Sequence, residues 1–184
     1  MTTSEPAQGA KPILFVDRDG TLITEPADYV VDSFEKLHFL PHVITSLWQL
    51  QNAGWELIIV TNQDGLGDRY SWENFNGPHE LMLDIFASQG VTFREVLIDT
   101  TYAREGKATR KPGTALVDHL RRDPNIDWNR SAMVGDRMSD AEFGHNLGIG
   151  AFVLSSPDPQ LNCGTWTWPA ITQHLLAGNP IPQQ

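Results

Sequence analysis

The stretch Ile13-Leu14-Phe15-Val16-Asp17-Arg18-Asp19-Gly20-Thr21 runs through four apolar residues, then breaks into two carboxylates, a glycine and a hydroxyl. So short and unbroken an apolar run, with β-branched and aromatic members, reads as a strand buried on both faces. Working outward, similar runs recur at Leu57–Val60, Val96–Ile98, Ala132–Val134 and Ala151–Leu154. Between them lie segments with apolar residues at helical spacing: Pro41–Gln51 before Gly54, Pro78–Gln89 before Gly90, Pro112–Arg121, and Ser139–Leu147 before Gly148. Glycine just past a helical pattern is a common C-terminal stop, and proline is accepted in a first turn. Fully apolar strands alternating with helices imply a parallel sheet. The expected fold is α/β, a doubly wound parallel sheet covered by helices on both faces. Residues 1–10 read as a disordered lead-in, 11–177 as one domain and 178–184 as a Pro-rich tail.

Composition narrows the function. The 184 residues carry 13 Lys+Arg against 23 Asp+Glu, a formal net charge of −10. No run of basic residues supplies the footprint for nucleic acid or an anionic membrane, so the expected partner is a small molecule. An acidic chain that binds an anion must use local cations, backbone N–H groups or a metal. The single cysteine, Cys163, excludes an internal disulfide and a Cys-x-x-Cys zinc site. No apolar segment approaches the roughly 20 residues of a membrane span, and the expected location is the cytoplasm.

In open α/β sheets ligands bind beyond the carboxyl ends of the strands, where strand order reverses. Those ends carry Asp17-Arg18-Asp19-Gly20-Thr21, Thr61-Asn62-Gln63-Asp64-Gly65 and Gly135-Asp136-Arg137-Met138-Ser139-Asp140, with Arg110-Lys111-Pro112 ahead of the third helix. Two carboxylates two residues apart can divide attack from proton transfer. A third completes a hard oxygen site suited to Mg²⁺, which answers the charge problem as well. Thr61 offers a hydroxyl, and Lys111 a point charge, to phosphate oxygens. Each piece alone is ordinary turn or capping chemistry. All four at successive strand ends make a phosphoryl-transfer site.

In order and spacing these residues resemble the four motifs of the haloacid-dehalogenase (HAD) superfamily of phosphatases. That resemblance implies that Asp17 is the nucleophile and becomes an aspartyl-phosphate, and that Asp19 is general acid and then base. It implies a Mg²⁺ held by Asp17, Asp136 and the backbone carbonyl of Asp19, with Asp140 supporting the site. Thr61, Asn62, Arg110 and Lys111 would bind phosphate. Neither the Asp17–Thr61 nor the Thr61–Lys111 interval has room for a separate cap domain. Specificity would then come from short loops, Thr24–Phe39 and Asp64–Gly77, the latter with Tyr70 and Trp72. Over residues 12–170 the chain is more closely similar to the histidinol-phosphate phosphatases. The resemblance is carried by Phe15–Ile23 with Glu25-Pro26, Thr61–Gly67, Gly77-Pro78-His79 and Ser88–Val91; the heptose-bisphosphate phosphatases match less well. Glu25 and Gln63 are candidates for hydrogen bonds to an imidazole or amine of the substrate. The dehydratase half fused to such phosphatases is expected to be absent.

Those phosphatases usually carry a zinc loop between the third strand and Arg-Lys-Pro. Here Asp99, Thr101, Lys107 and Thr109 occupy its four ligand positions, a set unsuited to zinc, and no structural zinc is expected. His38 and His42 are separated by Pro41 and read as surface or capping residues. Trp166 and Trp168 read as packing of a last helix. One alternative keeps this chemistry and changes the substrate to a sugar phosphate such as heptose bisphosphate or a phosphate ester of specialised metabolism. The non-enzyme alternatives are a phospho-receiver, whose acceptor would be Asp99 at the end of the third strand, and an inactive scaffold.

Overall fold

A computed structural model describes residues 7–155 and 164–183. Cys163, residues 1–6 of the expected lead-in and Gln184 lie outside them. Five strands, β1 (Ile13–Val16), β2 (Glu56–Asn62), β3 (Glu95–Asp99), β4 (Ala132–Gly135) and β5 (Gly150–Val153), form one sheet in the order β3-β2-β1-β4-β5. Every pairing is parallel. The chain winds outward from β1 to β3, then returns to place β4 on the other side of β1. That reversal opens a crevice beyond the ends of β1 and β4.

Alternation along β1 divides the core. Leu14 and Val16 join one cluster with Leu47 and Leu50 of α1 (Val43–Asn52), Met82 and Phe86 of α2 (Trp72–Ser88) and Ile171 of α4 (Trp168–Leu176). Ile13 and Phe15 face the other cluster, with Phe143 of α3 (Met138–Leu147) and Val117 and Leu120 of a 3-10 segment, Ala115–Arg122. Both sheet faces are thus covered, and no cap domain intervenes among the described residues.

Two elements differ from the sequence expectation. The segment whose apolar spacing predicts a helix from Pro112 is a 3-10 helix starting at Ala115. Its buried residues, Val117 and Leu120, are three apart, which suits three residues per turn. The helix expected from Pro78 starts at Trp72, because the Ser71 side chain caps it by accepting from the Asn74 N–H at 3.1 Å. Pro78 therefore lies inside α2, preceded by Gly77.

The flanking segments touch the domain. The Ala7 N–H donates to the Pro124 carbonyl, and the Pro182 carbonyl accepts from the Ala151 N–H. His38 and His42 are exposed. Trp168 is buried, and its indole N–H reaches back 2.9 Å to the Thr21 carbonyl, tying α4 to the loop after β1. Among the described residues no helix is long and apolar enough to cross a membrane.

Candidate active site

Beyond β1 the chain stays in register for one more residue, since the Asp17 N–H donates 3.0 Å to the Val134 carbonyl of β4. Asp17 is thereby fixed at the crevice between the two strands. Its Oδ1 lies 2.8 Å from Lys111 Nζ, which also lies 2.7 Å from Asp140 Oδ1. All three groups are buried. Burial works against the Lys111 charge, but Asp140 and Asp17 outweigh it and raise its pKa. Lys111 is itself placed by Asn62, whose amide donates 3.1 Å to the Lys111 carbonyl and accepts from its N–H at 3.0 Å. Asn62 thus spends its side chain on the lysine's backbone.

Carboxylate oxygens of Asp17, Asp136 and Asp140 all lie within 4.8 Å of one another. Burial, followed by repulsion from Asp17 and Asp140, pushes Asp136 up to about 8. Asp140 is raised as well, by burial first, though Lys111 pulls it down. Its carboxylate accepts from the Arg137 N–H at 3.1 Å, which fixes it at the start of α3. Two glycines make the crowding possible. Gly20 has φ +72, and a Cβ there would strike the Asp136 carboxylate; one on Gly135 would strike that of Asp140. Three mutually repelling buried carboxylates are a poor arrangement by themselves and a good one around a hard divalent cation.

Asp19 sits differently. It takes 2.9 and 3.2 Å bonds from Arg18 Nη1 and a 2.6 Å bond from Gln63 Nε2, and its carboxylate is not in the three-carboxylate group. The first motif therefore holds two aspartates in two environments, one against a lysine and other acids, the other against amide and guanidinium donors.

The crevice opens into a cavity of about 830 Å³ lined by Asp17, Asp19, Glu25, Thr61, Asn62 and Lys111, among others. Arg69, Lys107, Arg110 and Arg137 reach it too, so an acidic chain presents five cations at one place. Arg110 pairs with Asp64 and donates 2.9 Å to the Thr101 carbonyl. Glu25 is bridged through both oxygens by Arg137. Burial raises its pKa against the pull of that arginine. Gln63 does not line the cavity: it is buried and bonded to Asp19, Thr61 and Tyr70. Sequence reasoning missed Arg18 and Arg137. Each directly follows a motif aspartate, and that adjacency was the available signal.

The loop after β3 is gathered on Asp99. This buried carboxylate accepts from the Thr101 N–H at 2.9 Å, the Thr101 hydroxyl at 2.5 Å and the Thr109 hydroxyl at 2.5 Å.

A doubly wound sheet with this cluster at its switch point defines a HAD-type phosphatase. The chain belongs to the family described as polynucleotide kinase 3 phosphatase, whose sequence model matches residues 12–150. It is 54% identical over 170 residues to the histidine biosynthesis bifunctional protein HisB of Xanthomonas euvesicatoria pv. vesicatoria, covering 92% of this chain and 44% of that protein. The corresponding protein of Stenotrophomonas maltophilia (strain R551-3) is 52% identical, with 92% and 46% covered. The chain thus spans less than half the length of these curated relatives. Among solved structures, D,D-heptose 1,7-bisphosphate phosphatase from B. bronchiseptica, complexed with magnesium and phosphate, superposes with a TM-score of 0.75 at 21% identity. That match covers 91% of this chain and 99% of the other. A HAD phosphatase from Thermococcus onnurineus gives 0.58 at 18% identity, covering 93% and 100%. At such identities the likeness is one of fold.

Proposed function

We propose that this chain is a Mg²⁺-dependent phosphomonoesterase that hydrolyses L-histidinol phosphate through an aspartyl-phosphate on Asp17. The observation that carries the reading is the split of the first motif. Asp17 faces Lys111 and the acid cluster, whereas Asp19 is held apart by Arg18 and Gln63, so one can attack while the other handles a proton. The substrate comes from the HisB relatives.

The chain's own residues supply the following steps. An Asp17 oxygen attacks phosphorus as the P–O bond to the leaving alkoxide breaks. Asp19 gives that oxygen its proton. Water then attacks phosphorus, Asp19 takes the water's proton, and the bond from phosphorus to Asp17 breaks to release phosphate. Lys111 and the Thr61 hydroxyl hold phosphate oxygens throughout. Asp17 and Asp136, with the Asp19 carbonyl, would hold Mg²⁺, whose charge offsets both the acids and the phosphate. Glu25, on Arg137 at the cavity wall, is placed for the amine or imidazole of the leaving group.

Loop 99–109 is read as closed without zinc, because the Asp99 carboxylate already gathers two of the positions that would ligate it. The same bonds speak against a phospho-receiver: Asp99 is 3% exposed with both oxygens engaged, away from the cavity. The family description names a polynucleotide, but an acidic chain without a basic track suits a small ester better.

The test is phosphate release with Mg²⁺ from histidinol phosphate, heptose bisphosphate, simple sugar phosphates and a 3′-phosphorylated oligonucleotide, for the wild type and Asp17→Asn. Histidinol phosphate should lead by orders of magnitude, and Asp17→Asn should abolish turnover. A sugar bisphosphate or the oligonucleotide in first place would replace the substrate, and an active Asp17→Asn would remove the nucleophile.

A further inference from the structure

Both polar atoms of the Gln63 side chain are engaged within the protein. Its Nε2 donates to Asp19 Oδ2 at 2.6 Å and to Thr61 Oγ1 at 2.8 Å, and its Oε1 accepts from the Tyr70 hydroxyl at 2.7 Å. The side-chain chemistry fixes these directions. A carboxylate only accepts, so the amide nitrogen must face Asp19 and its oxygen must face Tyr70, which therefore donates. Burial, followed by the Asp19 charge, raises the Tyr70 pKa and keeps the phenol protonated for that task.

The consequences reach both sides of the reaction. On one side Asp19 is gripped between Gln63 and Arg18, which sets its carboxylate plane. Arg18 is itself fully buried, with its guanidinium 4.7 Å above the Phe75 ring. On the other side the Thr61 oxygen already accepts from Gln63, so its proton is left for an acceptor in the cavity that Thr61 lines. One phenol on the loop between β2 and α2 thus orients, through one amide, both a carboxylate and a hydroxyl of the site.

We propose that Gln63 and Tyr70 are positioning residues for proton transfer by Asp19, rather than substrate contacts. The inference rests on the phosphatase reading above, and it concerns how the leaving oxygen is protonated. An alkoxide needs that proton as it departs, whereas 4-nitrophenolate leaves readily without it. In the step that expels the leaving group, loss of positioning must therefore discriminate between leaving groups, which a general loosening of the fold would not do.

The experiment compares wild type, Tyr70→Phe and Gln63→Met on 4-nitrophenyl phosphate and on the alkyl ester that the wild type cleaves fastest. Tyr70→Phe should lower kcat/KM, which reports the steps only as far as formation of the aspartyl-phosphate, about tenfold for the alkyl ester and less than about twofold for the aryl ester. Gln63→Met, of similar length but without donors, should widen the same gap and serves if Tyr70→Phe does not fold. Equal losses on both esters, or none on either, would overturn the positioning role while the phosphatase reading stands. A wild type that releases phosphate from no alkyl ester would overturn that reading, and this inference with it.

Discussion

Acid should destabilise this protein through His79. The imidazole is 7% exposed, stacks on Phe75 with centroids 4.8 Å apart, and leaves Nδ1 without a hydrogen-bond partner. Burial, helped by the positive charge of Arg18, lowers its pKa from 6.5 to about 4. Between those values the unfolded chain binds a proton that the native state refuses, so stability rises with pH across the window and is lost as pH falls through it. Taken with the linkage relation, that shift removes about 2 kcal/mol at pH 5 and about 3 kcal/mol once both states are protonated. Against a typical total of about 5–15 kcal/mol this is a large share. His79→Phe keeps a ring on Phe75 and removes the titration; His79→Leu serves if the larger ring does not fit. Urea unfolding at pH 7 and pH 5 should show the wild type losing about 2 kcal/mol more than the variant. Parallel losses in the two proteins would refute a neutral, buried His79.

Two further outcomes follow from the buried charges. Lys111→Met leaves the carboxylates of Asp17 and Asp140 facing each other without their cation. It should cost about 3–5 kcal/mol in thermal or chemical unfolding and abolish phosphate release; a variant as stable as the wild type would refute the pairing. Asp99→Asn removes the charge that gathers Thr101 and Thr109, and should cost about 1.5–3 kcal/mol by thermal unfolding. Metal analysis of the purified wild type should find no stoichiometric zinc, and one zinc per chain would overturn the reading of that loop.

Much of this was legible in the sequence because parallel strands buried on both faces leave unbroken apolar runs. The polar residues that first follow those runs, Asp17, Thr61 and, one glycine later, Asp136, are the ones delivered to the site. What stayed hidden depended on partners far along the chain. The sequence does not show that the Asn62 amide bonds the Lys111 backbone, nor that Asp19 and Tyr70 engage the Gln63 amide. The start of α2 was obscured by local chemistry, since Pro78 advertises a first turn more loudly than Ser71 advertises a cap. The 3-10 segment could not be told from an α-helix by apolar residues spaced three apart, which serve either.

The strand order has a consequence for synthesis of the chain. β1 is central in the sheet yet is made first, and its second edge pairs only when Ala132–Val134 arrive. Until then a nascent chain with β1, β2 and β3 already joined would expose a flat apolar edge ending in Asp17, the kind of template that recruits other strands. Long-range parallel pairing is also slow to form. Ribosomal pausing before residue 132, or truncation there, should therefore yield an aggregating fragment, and chaperone capture should fade once β4 has emerged.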